Sequence, residues 1–179
     1  MELAAAIRDA AYLEGDFVLR SGRRSSWYLD KYRFGTRPEL LGPLGEEIAR
    51  AIAEHEPEAM RIAAPELGAV PLAAAASLAS GLPFVIVRKE PKDYGTANRI
   101  EGEYESGECV CLVEDVVTSG GAAVAAVQAL RQADLRVSVA VCVVDREEGG
   151  IDELARHAVR LWPLLRASEL AKTAAKPHG

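Results

Sequence analysis

Apolar positions recur along the chain at two spacings, and the changes between them lay out the elements. Residues 2–13 carry Leu3, Ile7 and Ala10 on one helical face, which predicts a first helix. Two β-prone runs follow, at about 17–20 and 26–32, around Ser21-Gly22, and read as a hairpin. Pro38 is placed to open a helix that reaches about His55. Residues 61–64 read as a short strand, 70–80 as an Ala-rich helix stopped by Gly81-Leu82-Pro83, and 84–87 as a second strand. Further on come a strand at 109–113, a helix at 121–133 and a strand at 137–144. A short helix at 151–156, a strand at 159–162 and a last helix from Ser168 complete the pattern. Strands apolar on both faces, alternating with helices, predict an α/β fold whose mostly parallel sheet is covered on both sides. Ligands of such sheets lie beyond the carboxyl ends of the strands.

Residues 88–107 break the pattern. The run RKEPKDYGTANRIEGEYESG is polar, and loops of that length inside a compact domain are usually functional or disordered. Residues 67–87 hold no formal charge over a length that could span a bilayer, but Gly68, Pro71, Gly81 and Pro83 interrupt them, so a buried helix and strand are expected instead. The N-terminus has early acids and no basic stretch before an apolar run, unlike a signal peptide. At 179 residues the chain reads as a single domain, 1–179. Its 21 basic and 27 acidic side chains leave a net charge of −6, which argues against bulk nucleic-acid binding. Cys109, Cys111 and Cys142 are a poor disulfide framework and fit a reducing cytoplasm, with Cys109 and Cys111 packing on one strand face.

The chemistry concentrates in CVCLVEDVVTSGGAAVAAV. An apolar strand ends in Glu114 and Asp115; Val116 and Val117 follow, then Thr118-Ser119-Gly120-Gly121 and an apolar helix. A small, glycine-rich turn at a helix start presents successive backbone N–H groups to an anion, and the helix dipole adds to the attraction. The neighbouring carboxylates repel a phosphate, so they suit sugar hydroxyls or a Mg²⁺ ion held with them. Phosphate and diol side by side describe a ribose 5-phosphate. The run is not a Walker loop, because no Gly-Lys-Ser/Thr follows. Residues 20–37 add six basic side chains and one acid, a local positive field in an acidic chain.

Residues 109–121 resemble the phosphoribosyl diphosphate (PRPP) signature of type I phosphoribosyltransferases. Four further segments resemble orotate phosphoribosyltransferases. In FVLRSGRRSSWYLDKYRF, the residues Phe17, Leu19, Ser21, Gly22, Ser25 and Tyr28 match that family's F-x-L-x-S-G-x-x-S-x-x-Y hairpin. APELGAVPLA is similar to its pyrophosphate-side loop, with Gly68 and Pro71 in place. VRKEPKDYG resembles the lid pattern Arg-Lys-x-x-Lys-x-His-Gly, with Tyr94 where the pattern has His. VDREEGG resembles the Asp-Arg-x-x-Gly-Gly that follows a late strand.

The resemblance implies a type I phosphoribosyltransferase fold with an N-terminal hood over about 1–35 and a flexible lid over about 88–107. It implies that Glu114 and Asp115 meet the ribose hydroxyls, that Thr118, Ser119, Gly120 and Gly121 hold the 5-phosphate, that Arg88, Lys89 and Lys92 contact the pyrophosphate, and that Tyr94, Val116 and Val117 belong to the same PRPP-binding set. Lys92 and Asp115 would be the catalytic residues, and Arg20, Thr118 and Arg146 the orotate side. Taken alone, Arg146 follows a strand end, where a ligand-facing arginine belongs; the alternative is an arginine paired with Asp145 or Glu147. Mg²⁺ is the expected cofactor, bound mainly through PRPP, with Asp115 the candidate protein ligand. A cytoplasmic homodimer with shared active sites is implied, with PRPP and orotate as substrates and no nucleic-acid or membrane partner. The alternatives are a purine or other base salvage phosphoribosyltransferase, or a non-catalytic PRPP-sensing regulator.

Overall fold

A computed structural model describes residues 3–18, 22, 24–90 and 99–173. The first helix, α1, covers Leu3–Ala11, and an antiparallel hairpin follows, β1 (Tyr12–Val18) with β2 (Arg24–Leu29). This corrects two sequence expectations. Tyr12 and Leu13 fit a helical face as well as a strand, and pairing with Leu29 and Tyr28 decides for the strand. The second strand stops at Leu29, and residues 31–35 turn into the short helix α2 (Lys31–Gly35) instead of extending to 32.

Helix α3 (Pro38–His55) begins at its proline as expected and buries Leu40, Leu44, Ile48 and Ile52, a stripe at four-residue spacing. Then come β3 (Arg61–Pro65), α4 (Ala69–Ser80) and β4 (Phe84–Val87). Gly81 ends α4 with φ +77°, and its N–H donates to the Ser77 carbonyl at 2.8 Å. Gly45 lets α3 and α4 close on each other: a Cβ there would come within 2.6 Å of the Ala75 backbone.

The polar stretch contains the two-residue strand β5 (Ile100–Glu101), antiparallel to β4, which the sequence pattern does not reveal. The rest is β6 (Val110–Val117), α5 (Gly121–Gln132), β7 (Val139–Asp145), α6 (Gly150–Arg156), β8 (Arg160–Arg166) and α7 (Ala167–Lys172). Both β6 and β8 end four residues later than the pattern predicts, because their parallel partners carry the ladder on.

The sheet order is β5-β4-β3-β6-β7-β8, parallel except for β5. From β3 the chain builds outward through α4 to β4; from β6 it builds the other way through α5 and α6. The order therefore reverses between β3 and β6, the crevice where open α/β sheets receive ligands. Cys111, Val113, Val139, Val141 and Ile62 pack with α1, α3, α4 and α7 on one face, while Leu112, Ala140, Cys142 and Val85 pack with α5 and α6 on the other. All three cysteines are buried and unbridged. No helix of the described residues is long and apolar enough to cross a membrane.

Candidate active site

Three segments meet at the carboxyl ends of β3 and β6. The first is the turn after β6. Gly120 has φ +86° and stands at the start of α5, and its carbonyl accepts the Val124 N–H at 2.9 Å. Thr118, Ser119 and Gly121 are exposed, so hydroxyls and backbone at this helix start face outward, as an anion cradle requires. The turn rests on Gly150 at the start of α6. A Cβ on Gly150 would lie 2.4 Å from Val117 Cγ1 and 2.7 Å from the Thr118 carbonyl oxygen. Val117 is buried and Val116 half-buried, each in an apolar layer, with their backbone paired to β7.

The second segment is the acid pair, and here the sequence expectation is corrected. Glu114 and Asp115 do not end the strand; pairing with β7 continues through Val117, and both acids are sunk in the sheet, 7% and 3% exposed. Burial, and then the charge of Asp115, push the Glu114 carboxyl up to about 8, while the nearby Lys31 ammonium opposes the rise. Glu114 is therefore mostly protonated near neutral pH and can donate a hydrogen bond. Asp115 Oδ1 accepts the Val116 N–H at 2.7 Å, and Oδ2 lies 2.8 Å from Lys31 Nζ. Burial pulls the Lys31 ammonium down, but the Asp115 carboxylate, with help from Tyr32 and Glu114, leaves it above its ordinary value.

The third segment is the loop of residues 66–68 after β3 with the start of the polar stretch after β4. Gly68 faces Asp115 so closely that a Cβ would stand 1.7 Å from Oδ2. The Glu66 carboxylate accepts the Lys89 N–H at 2.7 Å, and the Glu66 N–H donates to the Val87 carbonyl at 2.9 Å, which ties the two loops together. The Arg88 N–H donates to the Arg99 carbonyl at 2.7 Å, and the Arg88 guanidinium lies 3.6 Å from Glu101. Arg99 donates to the Lys89 carbonyl at 3.2 Å. Lys92, Tyr94 and Arg20 lie outside the described residues.

The loop after β7 adds Arg146. Its N–H donates to the Val117 carbonyl at 2.8 Å, and Nη2 lies 3.0 Å from Glu148, not from Asp145 or Glu147. The Asp145 carboxylate instead accepts the Glu147 N–H. The Arg146 guanidinium lies 4.5 Å from the centroid of the Trp27 ring, which itself stacks on Tyr12 at 5.2 Å, with Arg8 on the far side of that contact, 4.4 Å from the Tyr12 centroid. Arg146 Nε is buried and has no hydrogen-bond partner. The hairpin and the loop after β7 are thus joined by a stack that no sequence signal announces. Lys31 also went unrecognised; its only trace in the sequence is membership of the basic run 20–37.

A groove of about 490 Å³ between α3 and the end of α4, floored by Ile52, Ala53 and Leu82, opens at the amino ends of the strands and holds none of the motif residues. The chemistry belongs to the other end.

No family model matches the chain. An orotate phosphoribosyltransferase structure from Aeropyrum pernix superposes with a TM-score of 0.83 at 32% identity, covering 95% of this chain and 96% of that one. The Mycobacterium tuberculosis orotate phosphoribosyltransferase in complex with PRPP gives a TM-score of 0.80 at 28% identity, over 95% of this chain and 97% of that one. The fold is that of the type I phosphoribosyltransferases, with the acid pair and glycine turn at its switch point. Orotate phosphoribosyltransferases of Methanocella arvoryzae and Halobacterium salinarum are 49% and 48% identical to the chain, over 87% and 94% of its length and 87% and 95% of theirs. The chain belongs to the orotate phosphoribosyltransferase family.

Proposed function

We propose that the chain transfers ribose 5-phosphate from PRPP to orotate, giving orotidine 5′-phosphate and pyrophosphate in de novo pyrimidine nucleotide synthesis. The observation that carries this reading is the corner at the β3/β6 switch point, with its buried acid pair beside an outward-facing glycine cradle, in a chain of this family. In the reaction the bond from the anomeric carbon to the diphosphate oxygen breaks, and one from that carbon to orotate N1 forms.

Residues 118–121 hold the 5-phosphate on backbone N–H groups and the Thr118 and Ser119 hydroxyls. Protonated Glu114 donates to one ribose hydroxyl and Asp115 accepts from the other. The diphosphate lies toward the loop of residues 66–68, and Arg88, Lys89, Lys92 and Tyr94 close over it. Charge grows on the leaving oxygen as the bond breaks, so cations there, Lys92 above all, stabilise the transition state more than the ground state. A closed lid over about 88–107 keeps water from the electron-poor sugar. Arg146, with its unpartnered Nε, faces the anionic acceptor, and Arg20 in the hood (about 1–35) and Thr118 complete that side.

Among the described residues no group of three or more His, Cys, Asp or Glu side chains could hold a metal ion. Mg²⁺ would be held mainly through PRPP, with Asp115 the carboxylate of this chain that would contribute, and would supply charge neutralisation of the phosphates. A single domain acting as a cytoplasmic homodimer with shared sites completes the reading. Mixing the purified protein with PRPP, Mg²⁺ and orotate should deplete orotate absorbance. Turnover of adenine or another base in its place would sink the acceptor assignment, and failure to bind PRPP would sink the reading altogether.

A further inference from the structure

We propose that Lys31 is a donor-binding residue whose ammonium serves as counter-ion to Asp115 and passes to the diphosphate when the sugar hydroxyls take over the carboxylate. The inference rests on the phosphoribosyltransferase reading and adds a residue to it.

Position is the first argument. The Lys31 ammonium lies 2.8 Å from Asp115 Oδ2 and 3.4 Å from the point where a Gly68 Cβ would stand. It therefore hangs in the crevice between the end of β6 and the loop after β3, where the sheet order reverses. Exposure is the second. The Lys31 side chain is 39% exposed and that of Asp115 only 4%, so the ammonium covers the carboxylate on the ligand side. A sugar hydroxyl reaches Oδ2 only by sharing the site with Lys31 or displacing it.

Bonding capacity is the third. Asp115 Oδ2 is buried with the Lys31 ammonium 2.8 Å away against it, and a carboxylate oxygen with two lone pairs keeps room for a further donor. The ammonium has three donors and can turn on its flexible stem. Charge is the fourth. The loop Pro65-Glu66-Leu67-Gly68-Ala69 on the diphosphate side contributes an acid and no cation. Glu66 is held by the Lys89 N–H, and any side chain at 68 would collide with Asp115. The fold answers this deficit from α2, with a lysine that enters the gap the glycine leaves.

The test is calorimetric binding of PRPP with Mg²⁺, and separately of ribose 5-phosphate, to the full chain and to Lys31→Met and Lys31→Arg, with steady-state kinetics alongside. A charge-assisted bond of ordinary strength predicts that Lys31→Met weakens PRPP binding about tenfold or more and raises the KM for PRPP in proportion. The KM for orotate should stay put, and Lys31→Arg should restore most of the loss. Ribose 5-phosphate lacks the diphosphate, so Lys31→Met should bind it at least as well as the native chain does. Equal weakening for both ligands would make Lys31 a structural prop for Asp115 and overturn the proposal, as would unchanged PRPP binding. If the Met variant does not fold, Lys31→Gln carries the same comparison. A native chain that does not bind PRPP at all would overturn the functional reading itself, a separate result.

Discussion

Replacing Glu114 by Gln keeps the shape of the protonated side chain and removes its titration. The carboxyl rises from an ordinary 4.5 to about 8 through burial and the neighbouring Asp115. An unfolded chain releases this proton near 4.5, whereas the folded chain holds it until about 8. Between those values the native state binds more protons, so stability falls as pH rises through the window and levels off above it. At about 1.4 kcal/mol per pH unit, the full interval corresponds to about 5 kcal/mol. For a chain of this size that is roughly 10–20 °C in Tm. Calorimetric melting of unliganded protein at a series of pH values from 4.5 to 9 should show the Glu114→Gln variant close to wild type at the acid end. The variant should then gain steadily on wild type, with the gap constant above about pH 8. A gap that does not change with pH would refute the reasoning, because it would mean that Glu114 ionises as an ordinary surface carboxyl does.

Gly150→Ala places a methyl 2.4 Å from Val117 and 2.7 Å from the Thr118 carbonyl. The displaced cradle should bind PRPP about ten- to a hundredfold more weakly in a titration, with the far-ultraviolet spectrum unchanged. Trp27→Ala removes the face on which Arg146 lies and should raise the KM for orotate about five- to thirtyfold, while Trp27→Phe keeps most of the effect and the KM for PRPP is untouched. Arg61 and Glu108 form two bonds of 2.8 and 3.0 Å between half-buried and buried side chains, and Glu108→Ala should lower stability by about 2–3 kcal/mol in urea unfolding. Because the Arg61 bonds hold the Glu108 carboxyl below its usual range, this pair's contribution is complete above about pH 4.5 and is lost as pH falls below it.

The corner after β6 was legible because everything it needs is contiguous: an apolar run, two acids, a glycine turn and a helix, each set by local rules. The α3 start at Pro38 and the α4 stop at Gly81 were legible for the same reason. What escaped depended on partners distant in the chain. Whether Glu114 and Asp115 end β6 or lie inside it is decided by how far β7 pairs alongside, and the apolar pattern of β6 alone cannot say. Tyr12 and Leu13 satisfy two periodicities at once, and only Leu29 and Tyr28 choose between them. The contact of Lys31 with Asp115 arises because α2 folds over the β3/β6 crevice. The same holds for Arg146, whose guanidinium finds Trp27 across the molecule and Glu148 instead of its immediate neighbours.

On the proposed reading, the column from Arg8 through Tyr12 and Trp27 to Arg146 couples α1 to the residue that faces the acceptor. Arg8 is itself held by the Leu170 carbonyl, 2.8 Å away, so α1 and α7 both bear on the column that ends at the Arg146 guanidinium. Trimming the first helix or loading it with a purification tag would therefore disturb the choice of base before it disturbed the grip on the sugar.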